Sequence, residues 1–208
     1  RMSRGKSRGT ADALIFRLTP DEQEVNYLAL QGTAKVALFK ETAKDAVSPG
    51  QQVEADEIRL VSFPDESKVS RISATGACSL TLSVSAVAAD KVQGQFVGLV
   101  FDRDGDLTDY SASGEARVDL ADRTGGDERR VWGDKITYHK RGDVLKTLGT
   151  EKMPARIDSA RTEVEAGWIT VSQESGNMQS SGGVKLVLKP GKDDKAVGFF
   201  LKEKPVFI

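Results

Sequence analysis

Two segments of this chain, ADALIFRLTPDEQEVNYLALQGTAKVAL (residues 11–38) and ADEIRLVSFPDESKVSRISATGACSLTL (residues 55–82), align with each other without a gap. The alignment matches an Ala-Asp pair at the start, a Pro-Asp-Glu turn in the middle and a glycine near the end, Gly32 on Gly76. Matches at one constant offset indicate an internal repeat, which is typical of stacked supersecondary units.

Further units follow the two aligned segments. FVGLVFDRDGDLTDYSASGEARVDL, VWGDKITYHKRGDVLKTLGT and VEAGWITVSQESGNMQSSGGVKLVLKP have the same order of parts. Each unit consists of a run of alternating apolar and polar residues, a polar turn, a second such run, a glycine and a third run. The pattern predicts a hairpin that leads into a further strand, with a glycine between the second and third runs. The marker glycines are Gly32, Gly76, Gly114, Gly149 and Gly182.

Alternation with period two is the signature of strands that bury one face. Asp104-Gly105 and the Lys-Arg-Gly-Asp sequence at 140–143 have the composition of tight turns between such strands. Helical spacing is confined to residues 41–47, which could form one turn. We therefore predict an all-β, antiparallel fold of about a dozen or more strands, as in sandwiches, jelly rolls and β-solenoids.

The composition change at residues 124–130 divides the chain. We predict a basic flexible leader at 1–10, a first β-repeat half at 11–123, a linker or long turn at 124–130, and a second β-repeat half at 131–208. The second half should continue the first and be truncated at its C-terminus, because its final apolar run has no turn after it. A start at Arg1 instead of Met favours a mature segment from which a targeting sequence was removed.

Composition excludes several classes of function. The chain has 208 residues with 30 Lys and Arg against 31 Asp and Glu, so it has no global basic field that would favour nucleic-acid binding. A single cysteine, Cys78, and a single histidine, His139, exclude an intramolecular disulfide and the usual Cys/His zinc sites. The sequence contains no run of about 18 apolar residues that could span a bilayer.

The unit openings ADALIF, ADEIRL and GDKITY, with the later strands LQGTAKVAL, ATGACSLTL and SSGGVKLVL, resemble the OstA-like repeats of lipopolysaccharide-transport proteins of the LptA and LptC type. The resemblance covers residues 11–208. It implies an open antiparallel β-jellyroll in the periplasm of a Gram-negative bacterium. It also implies a non-enzymatic role in outer membrane biogenesis, without a cofactor, as a bridge between the membranes that passes lipopolysaccharide along a hydrophobic groove.

One face of every strand would line such a groove. The alternation of apolar and polar residues identifies the candidates, and it fits an ordinary sandwich core equally well, so both interpretations stay open here. The groove candidates are Ile58, Leu60, Leu80, Leu82, Val84, Ile169, Val171, Val184, Leu186 and Leu188.

The two ends of an unclosed sheet would leave unpaired strand edges. We predict these edges at Leu14 and Phe16 in the first run and at Val206 and Ile208 in the last. Such edges would associate head to tail with other bridge jellyrolls or with further copies of this chain. The alternative function is a β-repeat structural or adhesion module that binds protein through the same edges.

Other residues that could bear chemistry have simpler interpretations. Asp102, Asp104 and Asp106 begin like a calcium loop, but Leu107 and Ser113 replace its glycine and acidic ligand, so a solvated hairpin turn is favoured. No motif accompanies His139, which is predicted to be solvated or on an edge strand. Cys78 is predicted as a small buried hydrophobe, and the two tryptophans as packing at the edge of the core. An enzyme ranks third, with a glycosidase built from two distant carboxylates still open. The two tryptophans are Trp132 and Trp168.

Overall fold

The computed structural model describes residues 7–18, 25–41, 47–64, 68–83, 89–121, 128–189 and 206–207. These residues form one antiparallel sheet of fifteen strands, which confirms the all-β prediction. The strands are β1 (Ser7–Thr10), β2 (Ala13–Leu18), β3 (Val25–Glu41), β4 (Val47–Ser62), β5 (Val69–Ser83), β6 (Ala89–Phe101), β7 (Leu107–Leu120), β8 (Arg129–His139), β9 (Val144–Leu148), β10 (Ala155–Asp158), β11 (Thr162–Ala166), β12 (Trp168–Ser172), β13 (Met178–Ser181), β14 (Lys185–Leu188) and β15 (Val206–Phe207).

Strands β3 to β7 continue through the point at which the sequence pattern predicted a break. Gly32, Gly76 and Gly114 lie inside β3, β5 and β7, so the prediction of separate second and third strands is wrong at these three units. Each glycine begins a β-bulge; in β5, for example, Gly76 and Ala77 face the single residue Gln95 of β6. The glycine φ values are +90°, +98° and +73°, a conformation that other residues rarely adopt.

The bulges bend the long strands, so the sheet folds into two layers. In layer A, β2 and β9 flank one half of each of the strands β3 to β8, and the layer continues through β12 and β13. In layer B, β1 and β10 flank the other halves, and the layer continues through β11, β14 and β15. The buried side chains of both layers join in one hydrophobic cluster. The molecule is therefore an antiparallel jellyroll with its core between the layers.

The sheet stays open. Among the strands that the structure describes, β1 and β2 pair only with β3 at one end, while β13 pairs only with β12 and β15 only with β14 at the other. The end strands do not pair with one another, so the jellyroll has two exposed ends. This arrangement is the open antiparallel β-jellyroll that the family resemblance implied.

Some of the predicted loops lie within the described residues and others lie outside them. The turns at 102–106 and 140–143 connect β6 to β7 and β8 to β9 as predicted. Strand β8 begins inside the 124–130 segment, where Arg129 and Arg130 pair with Leu120 and Asp119 of β7. Several predictions fall outside the described residues: most of the leader (1–6), the Pro-Asp-Glu turn at 20–22, the possible helical turn at 42–46, and the side chains of Val84, Val206 and Ile208.

Candidate functional site

The Ala-Asp openings have a structural role at the bend. The Asp12 side chain covers Gly32, and the Asp56 side chain covers Gly76, so closely that neither glycine has space for a Cβ atom. Asp12 Oδ2 also accepts a hydrogen bond of 3.2 Å from the Thr33 N–H. In the next unit Gln95 covers Gly114 in the same way. The repeated Asp-to-Gly spacing therefore marks where each strand turns from one layer into the other.

The interior is lined by apolar rungs that cross the whole sheet. One of them lies in layer B, where nine neighbouring residues on successive strands are all aliphatic, and a glycine of β1 precedes them. Their side chains point to one face because pairing in register preserves the alternation. This rung consists of Gly9, Val36, Val53, Leu80, Val92, Val118, Val131, Ile157, Val164 and Leu186.

Most of the predicted groove residues lie in this interior and are closely packed. Ile58, Leu80 and Ile169 are fully buried, and Leu60, Leu82 and Val171 are at most 9% exposed. In the conformation described here these side chains pack against one another as a core. An acyl chain could reach the deepest of them only if the two layers separated.

The alternation fails at the end of the fifth unit. Val184 is 45% exposed, in contrast to the prediction that it lines the groove, because it follows Gly182 and Gly183 and precedes the first paired residue of β14. Both glycines have positive φ, which turns the chain before the strand begins. Leu186 and Leu188 point inward as predicted, but they remain half-buried.

A cavity of about 150 Å³ opens between the layers near this end of the jellyroll. Layer A contributes Leu145, Val171 and Met178, and layer B contributes Val131 and Ile157. Met178 is 42% exposed, so the cavity connects with solvent. Of the predicted groove residues, only Val171 lines it directly.

Four polar side chains line this cavity, Arg129, Ser159, Thr162 and Gln173, and none was predicted. The Arg129 side chain is exposed and lines the cavity, and among the described residues it makes no ion pair. The buried Gln173 Nε2 also lies there and has no hydrogen-bond partner. The alternation could have identified both, because Arg129 shares a strand face with Val131 and Gln173 shares one with Val171.

The opposite end of the interior exposes apolar surface on an edge strand. Leu14 and Phe16 of β2 pair with Leu30 and Leu28 on the inner side, but they are 48% and 56% exposed because β2 has no further neighbour among the described strands. Ile15, on the other face of β2, is also exposed. The predicted N-terminal edge residues therefore lie on an unpaired apolar edge.

The outer surface is polar and carries many ion pairs. Lys35 contacts Glu54 at 2.6 Å, and hydrogen bonds from Lys35 and Gln52 lower the pKa of Glu54. On β14, the hydrogen bond to Glu165 raises the pKa of Lys185. Such exposed pairs contribute little to stability, because solvent screens them. The outer face is thus a solvated surface, unlike the interior.

Trp132 also lies on the outer face, half-buried and adjacent in sequence to the inward-facing Val131. The guanidinium groups of Arg117 and Arg156 lie 5.8 Å and 5.1 Å from its ring centroid. The expectation of packing at the edge of the core is wrong for this residue, because strand alternation turns its side chain away from the interior. Its contacts are cation–π interactions between neighbouring strands.

The aspartates of the weak calcium candidate form a hairpin turn. Asp102 Oδ1 accepts hydrogen bonds from the backbone N–H groups of Asp104 (3.0 Å) and Asp106 (2.9 Å), and Asp106 Oδ2 lies 3.3 Å from Lys140 Nζ. Within the described ranges, no group of three or more His, Cys, Asp or Glu side chains could hold a metal ion. Each carboxylate here already has a role in the turn or in an ion pair, except Asp104.

His139 and Cys78 have the environments predicted for them. The exposed His139 Nδ1 lies 2.6 Å from Asp109 Oδ1. Burial alone would raise the pKa of Asp109, but hydrogen bonds from His139 and Thr108 lower it overall. Cys78 is 4% exposed, and burial raises the pKa of its thiol to about 11, so the thiolate that would act as a nucleophile is scarce at neutral pH.

No protein-family model matches the sequence, and no curated protein matches it. Among solved structures, the chain is similar to LptH from Pseudomonas aeruginosa, the LptA-homologous periplasmic component of the conserved lipopolysaccharide transport device. The sequences are 13% identical, the TM-score is 0.49, and the match covers 76% of this chain and 93% of the other. No helix in the described part of this chain is long and apolar enough to cross a membrane.

Proposed function

We propose that this chain is a non-enzymatic periplasmic lipid-binding protein that shields acyl chains between the inner and outer membranes, as lipopolysaccharide-transport components do. The observation that carries the proposal is an apolar interior that extends across the whole open sheet. It is exposed at β2 at one end and at the cavity between β12, β13 and β10 at the other. A closed sandwich core would expose apolar side chains at neither place.

The energetics favour such an interior as a lipid path. Each methylene group removed from water contributes roughly 0.8 kcal/mol, so a lipid crossing an aqueous compartment needs an apolar surface along its route. The interior of this jellyroll supplies that surface with mostly aliphatic side chains, together with the aromatic Phe101 and Tyr110 and isolated polar residues such as Thr147, whose hydroxyl donates to the Trp132 carbonyl at 3.0 Å. No covalent chemistry is required for this role.

Photo-crosslinking tests the proposal. A crosslinking amino acid in place of Met178, on the inner face of β13, should capture lipopolysaccharide, whereas the same probe at the neighbouring, outward-facing Gln179 should not. Leu186 and Lys185 form a second matched pair on β14. Equal capture at inner and outer positions, or capture at neither, would contradict the proposal.

The exposed edge strand supports association with other jellyrolls, which we propose as the second part of the function. Strand β2 offers unpaired backbone groups on its free side and apolar side chains on both faces, and such an edge binds a further strand by β-augmentation. Contacts between unlike ends would be heterologous, so copies could add head to tail, and partner jellyrolls could do the same. The same edge would serve the alternative function, a structural or adhesion module.

The Phe16→Lys variant tests the association by sedimentation velocity at high protein concentration. The variant should remain monomeric at concentrations at which the parent chain associates, because a lysine on a free edge disfavours pairing. Lys91→Arg, on an interior strand, preserves the charge and serves as the control. A parent chain that stays strictly monomeric would remove the association from the proposal and leave the lipid path to be judged on crosslinking alone.

A further inference from the structure

The cavity between the layers has a polarity that the rest of the interior lacks. Its inner walls are aliphatic, formed by Val131, Leu145, Ile157 and Val171, and these residues are at most 8% exposed. Arg129 lies at the end of its strand, one inward-facing position beyond Val131, so its positive charge is at the rim. The cavity is thus apolar at its base and cationic at its mouth.

The Gln173 side chain adds a hydrogen-bond donor without a partner to the lining of the same cavity. Its Nε2 is buried without a partner, and a buried donor without an acceptor costs free energy that a bound acceptor would recover. The Ser159 and Thr162 hydroxyls of the same cavity hydrogen-bond each other at 3.0 Å, and neither accepts from Gln173 Nε2. One positively charged side chain and one amide donor without a partner therefore line the same cavity.

The size of the cavity limits what enters it. A volume of about 150 Å³ is comparable with that of an apolar cavity that binds a benzene-sized molecule. The end of one acyl chain fits that space without separation of the layers. Longer chains would leave through the exposed side at Met178.

We infer that this cavity binds an amphiphile with a single acyl tail and an anionic head group, with the tail between the layers and the head group on Arg129 and Gln173. The inference rests on the proposed lipid-binding function and deepens it by naming the ligand class and its orientation. Phosphate and carboxylate head groups share the required chemistry. An arginine guanidinium binds either one through charge-assisted hydrogen bonds.

Calorimetric titration of the full chain with decyl phosphate, decanoate and decan-1-ol, each below its micelle concentration, tests the inference. The two anions should bind about tenfold or more tightly than the alcohol. Arg129→Gln should reduce anion affinity to that of the alcohol and leave alcohol binding unchanged, and Gln173→Leu should weaken anion binding in the same direction. Arg130→Gln, the same charge change on the next, outward-facing residue, is the matched control. Met178→Trp should block all three ligands by filling the cavity mouth.

The outcomes separate this inference from the function on which it rests. If decan-1-ol binds and Met178→Trp abolishes its binding, the acyl site is supported. If the two anions then bind no more tightly than decan-1-ol, or if Arg129→Gln does not change their affinity, the head-group assignment alone is overturned. If none of the three ligands binds, this inference fails, and the proposed lipid-binding function is judged on the crosslinking at Met178 and Leu186 alone. Tighter binding of decyl phosphate than of decanoate would assign the site to phosphate, and equal binding would assign it to anions in general.

Discussion

In the first part of the sheet, from β3 to β7, every strand crosses the bend and belongs to both layers, whereas from β9 to β14 each layer is built from its own short strands. The interior residues of the first part, such as Leu80 and Ile72, are fully buried. In the second part exposure rises toward the sheet edge, from Ile169 (0%) and Val171 (8%) of β12 to Met178 (42%) of β13.

The physical reason lies in the connection between the layers. A continuous bent strand fixes its two halves at a short distance, and hydrogen bonds to neighbouring bent strands repeat that constraint along the sheet. Short strands are joined across the bend by single glycines and loops, such as Gly167 between β11 and β12. One folded sheet can thus contain a closed core and an opening side by side, and strand continuity decides which one forms.

The largest expected effect is on the stability of the closed part. Leu80→Ala removes a fully buried side chain and should reduce the free energy of unfolding by about 2–5 kcal/mol. Met178→Ala, at the open part, should change it by about 0.5 kcal/mol, because that side chain is largely exposed. Urea unfolding followed by circular dichroism measures both. Similar losses for the two variants would remove the distinction between the regions.

A smaller effect is expected at the bend itself. Gly76→Ala should reduce the free energy of unfolding by about 2 kcal/mol or more, because its φ of +98° strains an alanine and the Asp56 side chain occupies the space of the new Cβ. Gly105→Ala has a φ of +82° but no neighbour within 4 Å, so it should show the strain alone, about 1 kcal/mol. Adding Asp56→Ala to Gly76→Ala should recover part of the loss. Equal losses at the two glycines would indicate that the Asp56 contact does not hold the bend.

The smallest expected effect concerns the pH dependence of the closed part, where Asp109 of β7 contacts His139 of β8. Hydrogen bonds lower the pKa of the folded-state carboxyl, so its stabilisation is present above the unfolded-state pKa of about 3.9 and is lost as pH falls through the lower folded-state value. Because both side chains are more than one third exposed, the contribution is a few tenths of a kcal/mol.

Asp109→Asn should therefore be slightly less stable than the parent at pH 7, and the difference should narrow as the pH falls below 4. Urea unfolding at several pH values gives the measurement. Asp104→Asn, in the exposed turn, is the control and should show no such trend. A difference that grows toward low pH would contradict the assigned sign.

The repeat and its alternation predicted the all-β fold and, except at Val184, the inward residues named in the described strands; the marker glycines Gly32, Gly76 and Gly114 lie at the bend. They could not predict that β3, β5 and β7 continue through those glycines. A bulge inserts residues that interrupt the alternation in the same way as a loop does, so Gly32 and Thr33 look like a break in the sequence. Only the pairing with β4 on both sides of the bulge distinguishes one bent strand from two strands.

The candidate site was predictable in part. Ile58, Leu80 and Ile169 occupy the expected interior face, because strand alternation is local and independent of the rest of the fold. Whether that interior is closed or open depends on how far apart the layers lie, which no local pattern records. Leu80 is therefore a predicted groove residue although it is buried, and Arg129 and Gln173 were not predicted, because alternation gives the face of each residue but not that the fold brings the two to one cavity from distant parts of the chain.

Hydrogen–deuterium exchange of the parent chain, with and without bound lipopolysaccharide, tests most directly whether acyl chains enter where the layers are built from separate strands. Lipid binding should change the protection of backbone amides most in β9 to β13 and less in β4 to β6, whose interior residues an acyl chain reaches only if the layers separate. A change confined to β4 to β6, or one spread evenly over the sheet, would contradict the division of the molecule into a closed core and an open lipid site.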